Sequence, residues 1–197
     1  MANLRELLNS PNQSVRLKAA LAAGTYPNPD QIEVLILQCA KESDFFVRDT
    51  LSWALMRHDQ NSVVDRLKIE LKSENPQARS QALHTLSKIG DKENYGLITR
   101  DLLLDSNDFV ASTAWRSASV LAPDKDKQAL VEVLISQLGR GDSDTQFGLT
   151  RFLCAIGQPI VAPLMQAAQS ADEVVRTHAE FTLIRFQEME LEKVKKI

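Results

Sequence analysis

The chain is short of the residues that punctuate, cross-link or stack: 197 residues hold seven glycines, seven prolines, two cysteines and 6 % aromatics. So few turn-formers, with few β-branched or aromatic runs, exclude a sheet protein and favour helix. The two cysteines, Cys39 and Cys154, lie far apart in apolar stretches, which excludes a disulfide framework. They read as buried free thiols, suited to a reducing compartment. No apolar run approaches the ~20 residues that cross a bilayer. The opening Met-Ala-Asn-Leu-Arg-Glu-Leu-Leu puts charges where a secretion signal needs an apolar core. The expectation is a cytoplasmic protein with no membrane partner. Surplus positive charge is also missing, since 23 Lys and Arg against 26 Asp and Glu leave a formal net charge of -3. A protein that grips phosphate backbones is usually basic, so the balance argues against nucleic acid.

Chemistry-bearing motifs are equally sparse. There is no phosphate-cradling glycine loop, no nucleophile elbow and no CxxC. Gly139-Arg140-Gly141-Asp142 reads as a turn between helices and nothing more. The three histidines, His58, His84 and His178, are too widely spaced for the i, i+3 or i, i+4 arrangement of a helical metal site. No metal, no cofactor and no catalytic residue is therefore expected.

What the sequence does have is internal repetition. Six segments share a small or aliphatic anchor residue after a polar stretch: Val15, Val47, Ala78, Val110, Thr145 and Val175, in steps of 32, 31, 32, 35 and 30 residues. Four residues after each anchor stand Ala19, Leu51, Ala82, Ala114, Leu149 and Ala179. Eight after stand Ala23, Leu55, Leu86, Ala118, Leu153 and Leu183, and eleven after stand Tyr26, His58, Ile89, Leu121, Ile156 and Phe186. At about 100° per residue these offsets fall on one helix face, a packing seam. Trp115, on the flank of that seam, reads as packing.

A second amphipathic segment precedes each anchor: Leu4 to Leu8, Ile32 to Lys41, Val63 to Lys72, Tyr95 to Leu104, Leu130 to Leu138 and Ile160 to Ala168. Polar turns rich in Asn, Asp and Ser join the two helices of each pair and supply N-caps for the second. The prediction is twelve helices in six hairpins, with repeats at approximately 1–27, 28–59, 60–91, 92–123, 124–157 and 158–190, all in one domain of residues 1–197. A single hairpin cannot bury its apolar face, so stability must come from contacts between neighbours. The last helix runs into a charged end, Glu188 to Lys196, that shields the stack from water.

This pattern resembles the HEAT-repeat family. The best-matching stretches are Asn75-Pro76-Gln77-Ala78-Arg79-Ser80-Gln81-Ala82-Leu83 with Ile89-Gly90-Asp91, and Asp172-Glu173-Val174-Val175-Arg176. The family's Arg after the anchor occurs as Arg16, Arg48, Arg79 and Arg176, and is replaced by Ala111 and Gln146 in the fourth and fifth pairs. The resemblance implies an all-α, right-handed α-solenoid of about six HEAT-like pairs whose second helices line a concave surface.

On those helices the wheel face opposite the seam carries Asp49, Trp53, Ser80, His84, Ser112, Arg116, Phe147 and Arg151, with Met56 and Phe181 beside them. Aromatics and Arg are the types enriched in binding hot spots, so these eight residues are the expected partner-binding groove. The competing arrangement buries them under superhelix curvature or the C-terminal helix. Arg116 and Arg151, one pair apart in one column, suit either a clamp on a carboxylate or phosphate, or salt bridges to adjacent helices.

The expected function is a non-catalytic scaffold or adaptor that binds a protein or peptide. Enzymes with this architecture carry residues that this chain lacks or shares only in part. Deoxyhypusine hydroxylase holds iron with repeated His-Glu dipeptides, and this chain has none. HEAT-like alkylpurine DNA glycosylases use a basic groove with Trp and an acidic residue; Asp49, Trp53, Arg116 and Arg151 give a passing likeness that the net charge opposes. HEAT-type phycobilin lyases bind a tetrapyrrole, and nothing in this sequence specifies a pigment pocket. A ligand-sensing module and self-association through apolar groove residues stay open as further alternatives.

Overall fold

Polar turns that offer Asn or Asp to free backbone N–H groups organise the chain. In the computed structural model, which describes residues 3–195, the second helix of every pair starts at such a side chain. Asn12, Asp44, Asn75, Asn107, Asp142 and Asp172 each accept from a backbone N–H one turn inside the helix that follows. Those helices are α2 (Gln13–Thr25), α4 (Phe45–Met56), α6 (Pro76–Ile89), α8 (Asp108–Leu121), α10 (Ser143–Ile156) and α12 (Glu173–Val194). Each is preceded by a shorter partner: α1 (Leu4–Leu8), α3 (Ile32–Cys39), α5 (Gln60–Glu70), α7 (Arg100–Leu103), α9 (Lys127–Ile135) and α11 (Val161–Ala167). The described residues contain no β-strand. The chain is an all-α solenoid built of helix pairs, three in each of two compact units, Met1–Asp91 and Lys92–Ile197.

The packing seam lies where the wheel puts it. All six residues four past the anchors are 4 % exposed or less. Of the residues eleven past the anchor, His58, Leu121, Ile156 and Phe186 are buried. Tyr26 is not, at 78 % exposed. α2 ends at Thr25, and Tyr26 (φ -124, ψ 72) leaves the helical conformation with its ring in solvent. α6 instead ends on Gly90 at φ 75, a left-handed cap that needs no Cβ there.

The fourth pair departs from expectation. Tyr95 to Leu104 is not one helix: residues 92–97 form a 3-10 segment, and only Arg100–Leu103 is α-helical. Gly96 is a poor helix former, and Thr99 takes the extended conformation of a helix start (φ -71, ψ 162), so the segment breaks between them. At the other end α12 carries most of the charged stretch beginning at Glu188 to Val194, while Lys196 lies outside the described residues. Among the described residues no helix is long and apolar enough to cross a membrane.

Within the first unit, neighbouring pairs are stapled through their turns. Glu42, 2 % exposed, receives both Nε and Nη2 of Arg16 at 2.8 Å and Nε2 of Gln38 at 3.0 Å. Burial alone would push its carboxyl up, but these donors, with the Asp44 N–H, hold it below the usual range. Gln77 of the third pair donates back to the carbonyls of Cys39 (2.9 Å) and Glu42 (2.7 Å). Both cysteines are free and buried, and burial raises both thiols, Cys39 to about 12.

Each arginine after an anchor also reaches back within its own pair. Nη1 of Arg16, Arg48, Arg79 and Arg176 each donates to the carbonyl six residues earlier, at 3.0, 2.9, 2.7 and 2.8 Å. Gln146 does similar duty, donating to Gly139 and Gly141 at 3.2 and 3.3 Å. Ala111 cannot. The carbonyl six residues before it, on Asp105, is met instead by Nη2 of Arg140 from the next pair. Arg140 also bonds Asp108 (2.8 Å) and the side chain of Gln137 (2.8 Å), and lies 5.7 Å from the ring centroid of fully buried Trp115. The turn that looked inert in sequence is a clasp.

Candidate functional site

The eight expected groove residues divide evenly between the units, and the two halves differ in character. In the first unit they are engaged by their own chain. Asp49, on α4, forms an ion pair with Lys88 of α6 and lies 3.8 Å from His84 Nε2. Lys88, then His84, hold its carboxyl below the ordinary aspartate range. Trp53 is half-buried and packs over Gly24 of α2; a Cβ on that glycine would come within 2.3 Å of the ring's Cζ3. Ser80 is 1 % exposed. It is a core residue and not part of any contact surface, because the flank of α6 is buried there as well as its seam.

In the second unit Phe147 and Arg151 stay in solvent, while Ser112 and Arg116 are half-buried. Phe147 on α10 and Phe181 on α12 are 47 % and 41 % exposed with ring centroids 6.5 Å apart. Arg151, one turn beyond Phe147, is exposed and forms no ion pair among the described residues. Ser112 of α8 is half-buried; its Oγ lies 3.5 Å from where a Cβ on Gly148 would stand, which places α8 close against α10. Arg116 is half-buried, and burial lowers its pKa from the usual guanidinium value. Ser112, Arg116, Phe147 and Arg151 thus lie on one continuous helix-to-helix surface, extended by Phe181.

Between α10 and α12 this surface opens into a cleft of about 710 Å³. Phe147, Val174 and Phe181 give it apolar walls, with Asp144 and Glu173 at its acidic edge. His178, in its lining, belongs to a closed polar ring buried between the two helices. The Gly139 N–H donates to His178 Nδ1 at 3.0 Å, which leaves Nε2–H to donate to Thr150 Oγ1 at 3.0 Å. Thr150 in turn pairs with Thr182 Oγ1 at 2.9 Å, and Thr182 donates to the His178 carbonyl at 2.8 Å. Burial lowers the pKa of this imidazole, partly opposed by the Gln146 backbone, so it is held neutral. His178 was outside the expected site because a lone histidine near the seam looks the same in sequence whether or not it underlies a cleft. His58 behaves as an end-of-helix histidine: buried, with Nδ1 2.8 Å from the Ala54 carbonyl and Nε2 3.2 Å from Gln31 Oε1.

Residues 1–69 match the family model for HEAT repeats. Among solved structures the chain is similar to two described as engineered proteins. One is 21 % identical with a TM-score of 0.49, over 94 % of this chain and 95 % of that one. The other is 16 % identical with a TM-score of 0.47, over 95 % and 100 %. It is also similar to the complex of CpcE and CpcF of phycocyanin lyase from Nostoc sp. PCC7120, at 16 % identity and a TM-score of 0.36, over 93 % of each chain. No curated protein matches the sequence.

Proposed function

We propose that this HEAT-repeat protein, so identified by its residues 1–69, is a non-catalytic scaffold that holds a protein partner on the second-helix face of its C-terminal unit. One observation carries the reading. Two phenylalanines stand side by side in solvent, 6.5 Å apart, on a surface that continues to Arg151 and Arg116. A face kept only for solubility would bear Lys, Glu and Gln, whereas paired aromatics with Arg are what binding surfaces concentrate. The matching positions of the N-terminal unit are occupied internally: Asp49 by Lys88 and His84, Trp53 by its packing over Gly24. Contact energy is therefore assigned to Phe147, Arg151 and Phe181, with Ser112 and Arg116 alongside, and not to Asp49, Trp53, Ser80 or His84.

The test is to identify a co-purifying protein by mass spectrometry, purify it, and titrate it against variants. Phe147→Ala and Arg151→Glu are each expected to weaken binding about tenfold, the effect of losing ~1.4 kcal/mol. Ile69→Ala, at a side chain 62 % exposed on α5, is expected to leave it unchanged. Unaltered affinity in both Phe147→Ala and Arg151→Glu would remove this face from the function.

A further inference from the structure

The cleft between α10 and α12 has a chemical polarity that narrows its occupant. We propose that it receives a basic amphipathic segment of a partner protein, which sets apolar side chains against Phe147, Val174 and Phe181 and a Lys or Arg against Asp144 and Glu173. This rests on the binding role proposed above and adds the chemistry of what is bound.

The shape comes first. Contacts between the two helices advance together, Thr150 with His178 and Cys154 Sγ with the Thr182 carbonyl, so α10 and α12 run parallel and the cleft is a trough along them. Its volume, about 710 Å³, lies within the ~300–1,000 Å³ of ligand clefts. One long side stays open to water. An occupant with one apolar face and one polar face satisfies both boundaries, as an amphipathic helix or strand does. The two walls are also held in place. The Gly139–His178–Thr150–Thr182 ring fixes the facing sides of both helices, so little order remains to be imposed on binding.

Charge then selects the sign. Asp144 and Glu173 are exposed and form no ion pair among the described residues, and no Lys or Arg lines the trough. Elsewhere in the same unit a first-turn carboxylate is neutralised by the turn that follows it, as Asp108 is by Arg140. The turn after α11, Gln169-Ser170-Ala171-Asp172, has no cation to offer Asp144. Glu173 opens α12 as Asp108 opens α8, and an incoming basic residue can stand beside it as Arg140 stands beside Asp108. Paired with a partner's ammonium or guanidinium over an apolar floor, these carboxylates would steer association as well as fix register.

The experiment measures fluorescence anisotropy of a labelled short amphipathic peptide of Leu and Lys, and of its twin with Glu in place of Lys, against the full chain. The Lys peptide is expected to bind and the Glu twin to bind at least about tenfold more weakly, a difference of ~1.4 kcal/mol. Phe147→Ala and Phe181→Ala, both at exposed positions, and the double variant D144N/E173Q are each expected to weaken the Lys peptide about tenfold. The double variant should also reduce its salt dependence. D65N/E74Q makes the same charge change on exposed residues of the other unit and should alter affinity by less than about twofold. Circular dichroism reports whether the alanine variants keep their helices; should either unfold, D144N/E173Q against D65N/E74Q decides the matter. Equal binding of the two peptides, or equal loss from both double variants, overturns the proposal. So does light scattering that finds a dimer abolished by Phe181→Ala, since the trough would then belong to a second copy. A natural partner that depends on Phe147 and Arg151, together with a Lys peptide that fails to bind, would refute the basic-segment inference while leaving the scaffold role standing.

Discussion

Gly24 and Trp53 show how a single missing side chain redirects its neighbour. The wheel puts Trp53 on the face opposite the seam, and on that basis it belongs to the groove. The structure turns its ring onto α2 because Gly24 leaves a notch there, with Trp53 Cζ3 2.3 Å and the Ala54 Cα 2.9 Å from the position of a Cβ. An alanine at this site would raise intrinsic helix propensity by up to about 1 kcal/mol. Against that stands overpacking, which costs about 1–3 kcal/mol when neighbours must shift. The indole can swing aside, but the α4 backbone at Ala54 cannot. Gly24→Ala is therefore expected to lower the urea midpoint by the equivalent of about 1–2 kcal/mol. A midpoint equal to or above the wild type's would mean that the propensity gain wins. Ser80 teaches the same lesson from the other side, since a wheel angle assigns direction but not the distance to the next helix.

At the level of helices and turns, much was readable. Six Asn or Asp caps stand in the polar stretches where their residue types point, because an N-cap acts over two or three residues and needs no tertiary partner. The arginines after the anchors are local too, each reaching back six residues. What could not be read was the substitute for the one missing at Ala111. Arg140, 29 positions later, serves the Asp105 carbonyl, Asp108 and the Trp115 ring together. Arg140→Ala should destabilise the chain by about 2 kcal/mol or more, since a hydrogen bond to a charged group contributes about 1.5–3 kcal/mol. Arg140→Lys should recover little of it, because an ammonium cannot reproduce the planar fork that reaches several acceptors at once. Urea unfolding of both variants checks this. Full recovery by lysine would reduce the clasp to simple charge pairing with Asp108.

For the molecule as a whole, stability is a sum of neighbour contacts, and His178 ties three segments of one unit: the α9–α10 turn, α10 and α12. Its imidazole is neutral when folded and its pKa is lowered by burial, so the unfolded chain binds the proton more readily. The stabilisation is full above the unfolded histidine value of about 6.5 and is lost as pH falls from there through the depressed native value. Thermal melts between pH 7 and 5 should therefore show a falling Tm that His178→Gln, neutral throughout, flattens. A slope unchanged by that substitution would clear His178 of the effect. The sequence by itself determined the helical class, the six-fold pairing, the seam and the caps, because periodicity and capping depend on residues within a turn or two of one another. Only the tertiary structure decided which of the eight groove candidates face solvent, that Arg140 is a clasp, and that α10 and α12 enclose an acidic, phenylalanine-walled cleft. Those outcomes depend on how closely adjacent helices approach, a distance set by side chains some thirty residues apart and invisible to any single helix's wheel.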